Sequence, residues 1–104
     1  MVKLDEDFLY EVYSIVEEIP EGFVVTYKQI AILMDRPLNA RLVGKALSFA
    51  GMYGDYPCHR VVNSSGMTAA HFINQRYLLE QEGVEFKENG NVDLKKYKWN
   101  TEND

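Results

Sequence analysis

Thr26-Tyr27-Lys28-Gln29 constrains this chain more than any other stretch, because it sets where a helix must begin. A threonine followed three residues later by glutamine is a capping box: each side chain accepts a hydrogen bond from a backbone N–H that the helix start leaves unpaired. The spacing predicts a helix from Tyr27, with Ile30, Leu33 and Met34 facing inward. Asp35-Arg36-Pro37-Leu38 breaks it, and Asn39 is placed to cap a second helix over about 40–50, ended by Gly51. Leu42, Val43, Ala46 and Leu47 form the buried stripe of that second helix, while Arg41, Lys45 and Ser48 fall together on another side. Two short helices, a turn of a few residues, and cations on the second helix follow helix-turn-helix logic. An ordinary helical hairpin with a solvated basic face has the same pattern. Gly44 costs about 1 kcal/mol against alanine inside a helix, so another backbone is expected to approach closely there.

On the N-terminal side, Asp5 can cap a helix whose apolar face is Phe8, Val12, Ile15, Val16 and Ile19, with Glu6 and Asp7 against its dipole. Pro20 stops that helix and Glu21-Gly22 turns the chain into Phe23-Val24-Val25. Arg60-Val61-Val62 is expected to pair with Val24-Val25 as a small sheet. Asn63-Ser64-Ser65-Gly66 reads as a turn and 67–72 as a loop. A fourth helix is expected over 73–82, with Leu78 and Leu79 inward and Gly83 at its end. Val84-Glu85-Phe86 and Val92-Asp93-Leu94 flank Asn89-Gly90, a two-residue hairpin signal. Tyr97 and Trp99 should cover the open end of the core, and Thr101 onward should fray.

The 104 residues suit one domain spanning 1–104, mainly α with a small β component. One cysteine excludes an internal disulfide and fits a reducing compartment, so a cytoplasmic location is expected. Cys58, His59 and His71 lack zinc-finger spacing, so no metal is expected. No apolar run approaches the length of a membrane span. The net charge of −5 is unevenly spread. Residues 1–21 carry −6, residues 22–78 carry +4 and residues 79–104 carry −3. A positive middle is the footprint expected of a phosphate-binding face.

That middle holds Tyr56-Pro57-Cys58-His59-Arg60-Val61-Val62. Pro57 fixes a bend, and an imidazole or guanidinium beside a cysteine lowers its pKa towards neutrality. Blind to other context, a lone cysteine is more often a small buried hydrophobe than a nucleophile. Glu82 lies in the last turn of its helix, where the dipole disfavours an anion, and a broken local rule of that kind often marks a site.

Ile19-Pro20-Glu21-Gly22, Thr26-Tyr27, Ala40-Arg41-Leu42-Val43-Gly44, Pro57-Cys58-His59-Arg60-Val61-Val62 and Leu78-Leu79-Glu80-Gln81-Glu82-Gly83 occur in the order and near the spacing found in the O6-alkylguanine-DNA alkyltransferases. The chain resembles their DNA-binding domain over about 8–86, with a C-terminal hairpin and tail over 84–104. Its length and its Lys96-Tyr97-Lys98-Trp99 finish look more like the alkyltransferase-like proteins, which usually carry Trp in place of Cys58 and bind lesions without removing them. The resemblance implies a winged helix-turn-helix-like domain of the alkyltransferase C-terminal type, acting as a monomer without a cofactor on double-stranded DNA containing O6-alkylguanine, not on a membrane. It implies that Arg41 fills the gap left by a flipped guanine, with Lys45, Ser48, Arg60 and Tyr27 also at the DNA. Tyr27 would crowd the phosphate and donate a proton, Cys58 would attack the alkyl carbon, His59 would take the thiol proton and Glu82 would orient His59.

Two features of the chain depart from the alkyltransferases. Ala50 stands where they place an Asn that ties the cysteine strand to the recognition helix, and Met67-Thr68-Ala69-Ala70-His71-Phe72 lacks their Gly/Tyr-rich pocket loop. Irreversible transfer of the alkyl group to Cys58 is the first expectation. The alternative is a non-enzymatic lesion sensor that recruits other DNA repair proteins, and a winged-helix regulator with a structural cysteine ranks third.

Overall fold

The computed structural model describes residues 4–101. The chain forms α1 (Glu6–Glu18), β1 (Val25–Thr26), α2 (Tyr27–Leu33), α3 (Ala40–Ser48), β2 (Val61–Val62), α4 (Gln75–Gln81) and α5 (Leu94–Tyr97). This is a mostly helical domain with a small sheet. Single turns of 3₁₀ helix at Ala50–Met52 and Cys58–Arg60 join α3 to β2.

The predicted caps act locally. The Asp5 carboxylate accepts from the Phe8 amide at 2.9 Å. Thr26 Oγ1 accepts from the Gln29 amide at 3.0 Å, and the Gln29 side chain accepts from the Thr26 amide in return. At the far end of α2, Asp35 takes a left-handed φ of 60°. The amides of Asp35 and Arg36 then reach back to Ile32 O and Ala31 O, at 2.9 and 2.8 Å. This is a Schellman stop formed on aspartate in place of glycine, and it swings the chain into α3. Asn39 precedes α3 without capping it through its side chain.

Helices α1, α2 and α3 enclose one core around Val12, Tyr13, Val16, Ile30, Val43 and Ala46. Ile15, Leu33, Leu42 and Leu47 are half-buried rather than fully inward. A second cluster of Val24, Val62, Leu79, Val84 and Val92 lies under α4. The sheet divides the two. β1 and β2 run parallel, with Val25 opposite Val61 as the expected pairing of these segments allows, and Thr26 opposite Val62. The C-terminal segment lines the other edge of β1: the Val24 amide donates to Tyr97 O at 2.9 Å and the Trp99 amide to Val24 O at 2.8 Å. Tyr97 and Trp99 thus close the core through backbone pairing as well as cover. Expected fraying beyond Thr101 lies outside the described residues.

Three expectations need correction. α3 ends at Ser48, because the Phe49 amide bonds three residues back and the chain tightens into 3₁₀ geometry. α4 starts at Gln75, not Ile73, because turns closed by Phe72 N–Ala69 O and Gln75 N–Phe72 O occupy the preceding residues and leave Ile73 90% exposed. The C-terminal hairpin shrinks to a single antiparallel bridge, Phe86 to Val92. Its turn runs over 87–90, closed by Gly90 N to Lys87 O, and Asp93 at once caps α5 instead of continuing a strand. Gly66 anchors this region. Its φ is +85° and an added Cβ would stand 2.3 Å from Val92 O, while its own carbonyl accepts from the Val92 amide at 2.8 Å.

Candidate functional site

The 3₁₀ turn Cys58–Arg60 hangs from the N-terminal end of β2, so sheet pairing fixes where the cysteine stands. Tyr56 stacks on Tyr13 with ring centroids 4.8 Å apart, and Tyr13 donates to Ala46 O of α3 at 2.7 Å. Two tyrosines therefore tie the cysteine turn to α3 on the side where Ala50 offers no amide. Cys58 is half-buried and lines a cavity of about 200 Å³, together with Tyr27, Gly44, Ser48, His71 and Phe72.

Glu82 collects the two residues that follow the cysteine. His59 Nε2 lies 2.6 Å from Glu82 Oε2. Arg60 Nη2 donates to the same oxygen at 2.8 Å, Arg60 Nε donates to Oε1 at 3.0 Å, and Arg60 Nη1 donates to Ile19 O at 2.9 Å. The Gly22 amide adds a bond to Oε1 at 3.0 Å. Burial pushes the Glu82 carboxyl up, but the bonds from Arg60, His59 and Gly22 outweigh it and hold the pKa at about 2. Glu82 is thus a fixed anion with three partners. The unfavourable helix end is occupied because side chains from other segments neutralise it.

Burial pushes the Cys58 thiol up to about 11, and the carboxylate of Asp55 adds to the effect. This corrects the expectation of a lowered pKa. The His59 imidazole and the Arg60 guanidinium both face Glu82, so neither is left to stabilise a thiolate. The Tyr27 phenol is also raised, by burial first and then by Cys58, and keeps its proton near neutrality. The Arg60 guanidinium donates to Glu82 and to Ile19 O, which holds it on the inner side of the cysteine turn.

Arg41, Lys45 and Ser48 share the exposed side of α3. Arg41 lines an open groove of about 500 Å³ with Lys28, Asn63 and Ser64. Tyr27 and Gly44 line both this groove and the cysteine cavity, so the two adjoin. Gly44 faces the Tyr27 ring at ordinary contact distance and not another backbone, which corrects that expectation. The arrangement offers a cationic outer face, a phenol at the boundary and a part-apolar recess behind it. Among the described residues no cluster of His, Cys, Asp or Glu could hold a metal. No described helix is long and apolar enough to cross a membrane.

Sequence reasoning missed Gln75. It is 1% exposed and uses its whole amide, accepting from Ala69 N at 2.8 Å and donating to His59 O at 3.1 Å and Val61 O at 2.8 Å. It ties the 67–72 loop to the cysteine turn. Its polar character at the start of a helix looks like solvent-facing surface, so no pattern exposes it. His71, which lacks zinc-finger spacing, also lines the cavity.

Comparison with known proteins agrees with this geometry. The model of the 6-O-methylguanine DNA methyltransferase DNA-binding domain matches residues 7–84. The DNA base-flipping protein of Vibrio parahaemolyticus is 38% identical over 97 residues, covering 90% of this chain and 97% of that one. The crystal structure of Schizosaccharomyces pombe Atl1 with damaged DNA containing O6-carboxymethylguanine superposes with a TM-score of 0.81 at 36% identity, covering 93% and 98% of the two chains. The Mycobacterium tuberculosis OGT in complex with DNA gives 0.61 at 34% identity, over 75% of this chain and 50% of that one.

Proposed function

The chain belongs to the 6-O-methylguanine DNA methyltransferase DNA-binding-domain family, and from that premise we propose that it recognises O6-alkylguanine in duplex DNA by turning the base out of the stack, leaving the alkyl group in place. The observation that carries this reading is the adjoining pair of spaces on either side of Tyr27 and Gly44. The outer one holds Arg41 where a side chain can enter the stack, and the inner one is a recess for the displaced base. Flipping costs a few kcal/mol, less for a poorly paired lesion, so the step itself favours damaged sites. Tyr27 stands at the boundary as a phenol, able to donate to the base or to press on the adjacent phosphate. Lys45 and Ser48 face the backbone from the same side of α3.

The raised Cys58 thiol supports recognition without transfer, as does the full-length similarity to proteins named for base flipping and for alkyltransferase likeness. A second reading rests on one observation: Cys58 itself lines the recess. In that reading the thiol proton passes to His59, sulfur attacks the alkyl carbon as the carbon–oxygen bond to guanine breaks, and the departing guanine takes a proton from Tyr27, which lines the same recess.

Competition between lesion and plain duplex at matched salt tests the recognition step. Preference for the lesion is expected, and Arg41→Ala should reduce that preference more than it reduces plain-duplex binding. Equal affinity of the wild type for both duplexes would contradict the proposal.

A further inference from the structure

Beyond α3, a groove of about 690 Å³ lies between the turns at 63–66 and 87–91. Ser64 and Ser65 line it from one side, and Lys87, Asn89 and Lys95 from the other. Ser64 also lines the Arg41 groove, so the two spaces share a wall. The cations of this C-terminal segment divide into two kinds. Lys96 is paired with Glu85 at 2.7 Å, whereas Lys87 and Lys95 make no ion pair among the described residues and are exposed. Among the described residues Asp93 is the one acid lining the groove, and its carboxylate accepts from the Lys95 amide at 3.1 Å. Glu88, in the same turn as Lys87, is exposed and does not line it. A chain with net charge −5 thus lines, with two lysines that make no ion pair among the described residues and several neutral donors, a space that shares a wall with its cationic face.

We infer that this groove holds phosphates of the same duplex that Arg41 enters, so that Lys87 and Lys95 form a second backbone contact beyond the helix-turn-helix. The inference rests on the recognition reading above. Lysine ammonium groups suit phosphates as mobile point charges that need no fixed geometry. Contacts of this kind set register and affinity without reading sequence or damage. The long axis of the molecule, 40 Å, corresponds to about 12 base pairs at 3.4 Å each, so a longer duplex reaches both spaces.

The test is the salt dependence of binding to a plain duplex of about 20 base pairs, for wild type, Lys87→Ala/Lys95→Ala and Lys96→Ala. Two lost phosphate contacts should make the slope of log K against log salt shallower by about 2. The ratio of lesion to plain affinity should stay unchanged. Lys96→Ala, whose charge Glu85 already balances, should keep the wild-type slope. An unchanged slope in the double variant overturns this inference alone, as does an equal loss in Lys96→Ala, which would indicate a diffuse charge effect. Absence of wild-type binding overturns the recognition reading with it.

Discussion

Cys58 should behave as an unusually slow thiol whose reactivity keeps climbing with pH. A thiol at about 11 in place of the ordinary 9 holds about a hundredth of the thiolate at any pH below 9. At pH 7 that is about one molecule in ten thousand. A more basic thiolate is a better nucleophile, and the Brønsted dependence returns about 6–10-fold of the loss. The net expectation is labelling by iodoacetamide about 10–20-fold slower than an ordinary thiol, before access is considered. Half-burial slows the reaction further but does not alter its pH profile. The profile is therefore the decisive readout: rates measured by mass spectrometry between pH 6 and 11 should rise about tenfold per pH step and level off near 11. A plateau at or below pH 8 would refute the reasoning, because it would mean that His59 or Arg60 supports the thiolate despite its bonds to Glu82.

Two further outcomes follow from the packing around the site. Glu82→Gln leaves Arg60 with a neutral partner at a site only 10–15% exposed, and should cost about 2–3 kcal/mol in urea unfolding. The pH signature has a defined sign. Glu82 is held at about 2 in the fold against an ordinary 4.5, so its stabilisation is present above 4.5 and is lost as pH falls towards 2. The variant should lack that acid limb, and a retained limb would assign it to other carboxylates. Gly66→Ala adds a Cβ 2.3 Å from Val92 O at φ +85°, and should lower stability by about 2–4 kcal/mol. A loss below about 1 kcal/mol in thermal or urea unfolding would show that the turn relaxes freely.

The local rules that succeeded concern groups satisfied within a few residues. Asp5 and Thr26 cap helices through partners only three residues away, whereas Asn39, placed the same way before α3, makes no side-chain cap bond. The His59–Glu82 meeting, 23 residues apart, entered through resemblance and not through any spacing. Where partners are distant and backbone-borne, the pattern is silent. Gln75 reaches three backbone groups on two segments, and the edge pairing of Val24 with Lys98 depends on where the chain end returns. The Asn89-Gly90 signal did produce a turn, but Asp93 capped α5 and left the hairpin a single bridge. The lowered thiol pKa failed for a related reason: an imidazole and a guanidinium adjacent in sequence can both face a distant anion, here Glu82.

The fate of the alkyl group is read most directly from the mass of the Cys58 peptide after incubation with duplex containing O6-methylguanine, under conditions where the lesion is bound. Recognition without transfer predicts an unmodified peptide and an intact lesion. One added methyl on Cys58, with unmodified guanine recovered from the DNA, would contradict it.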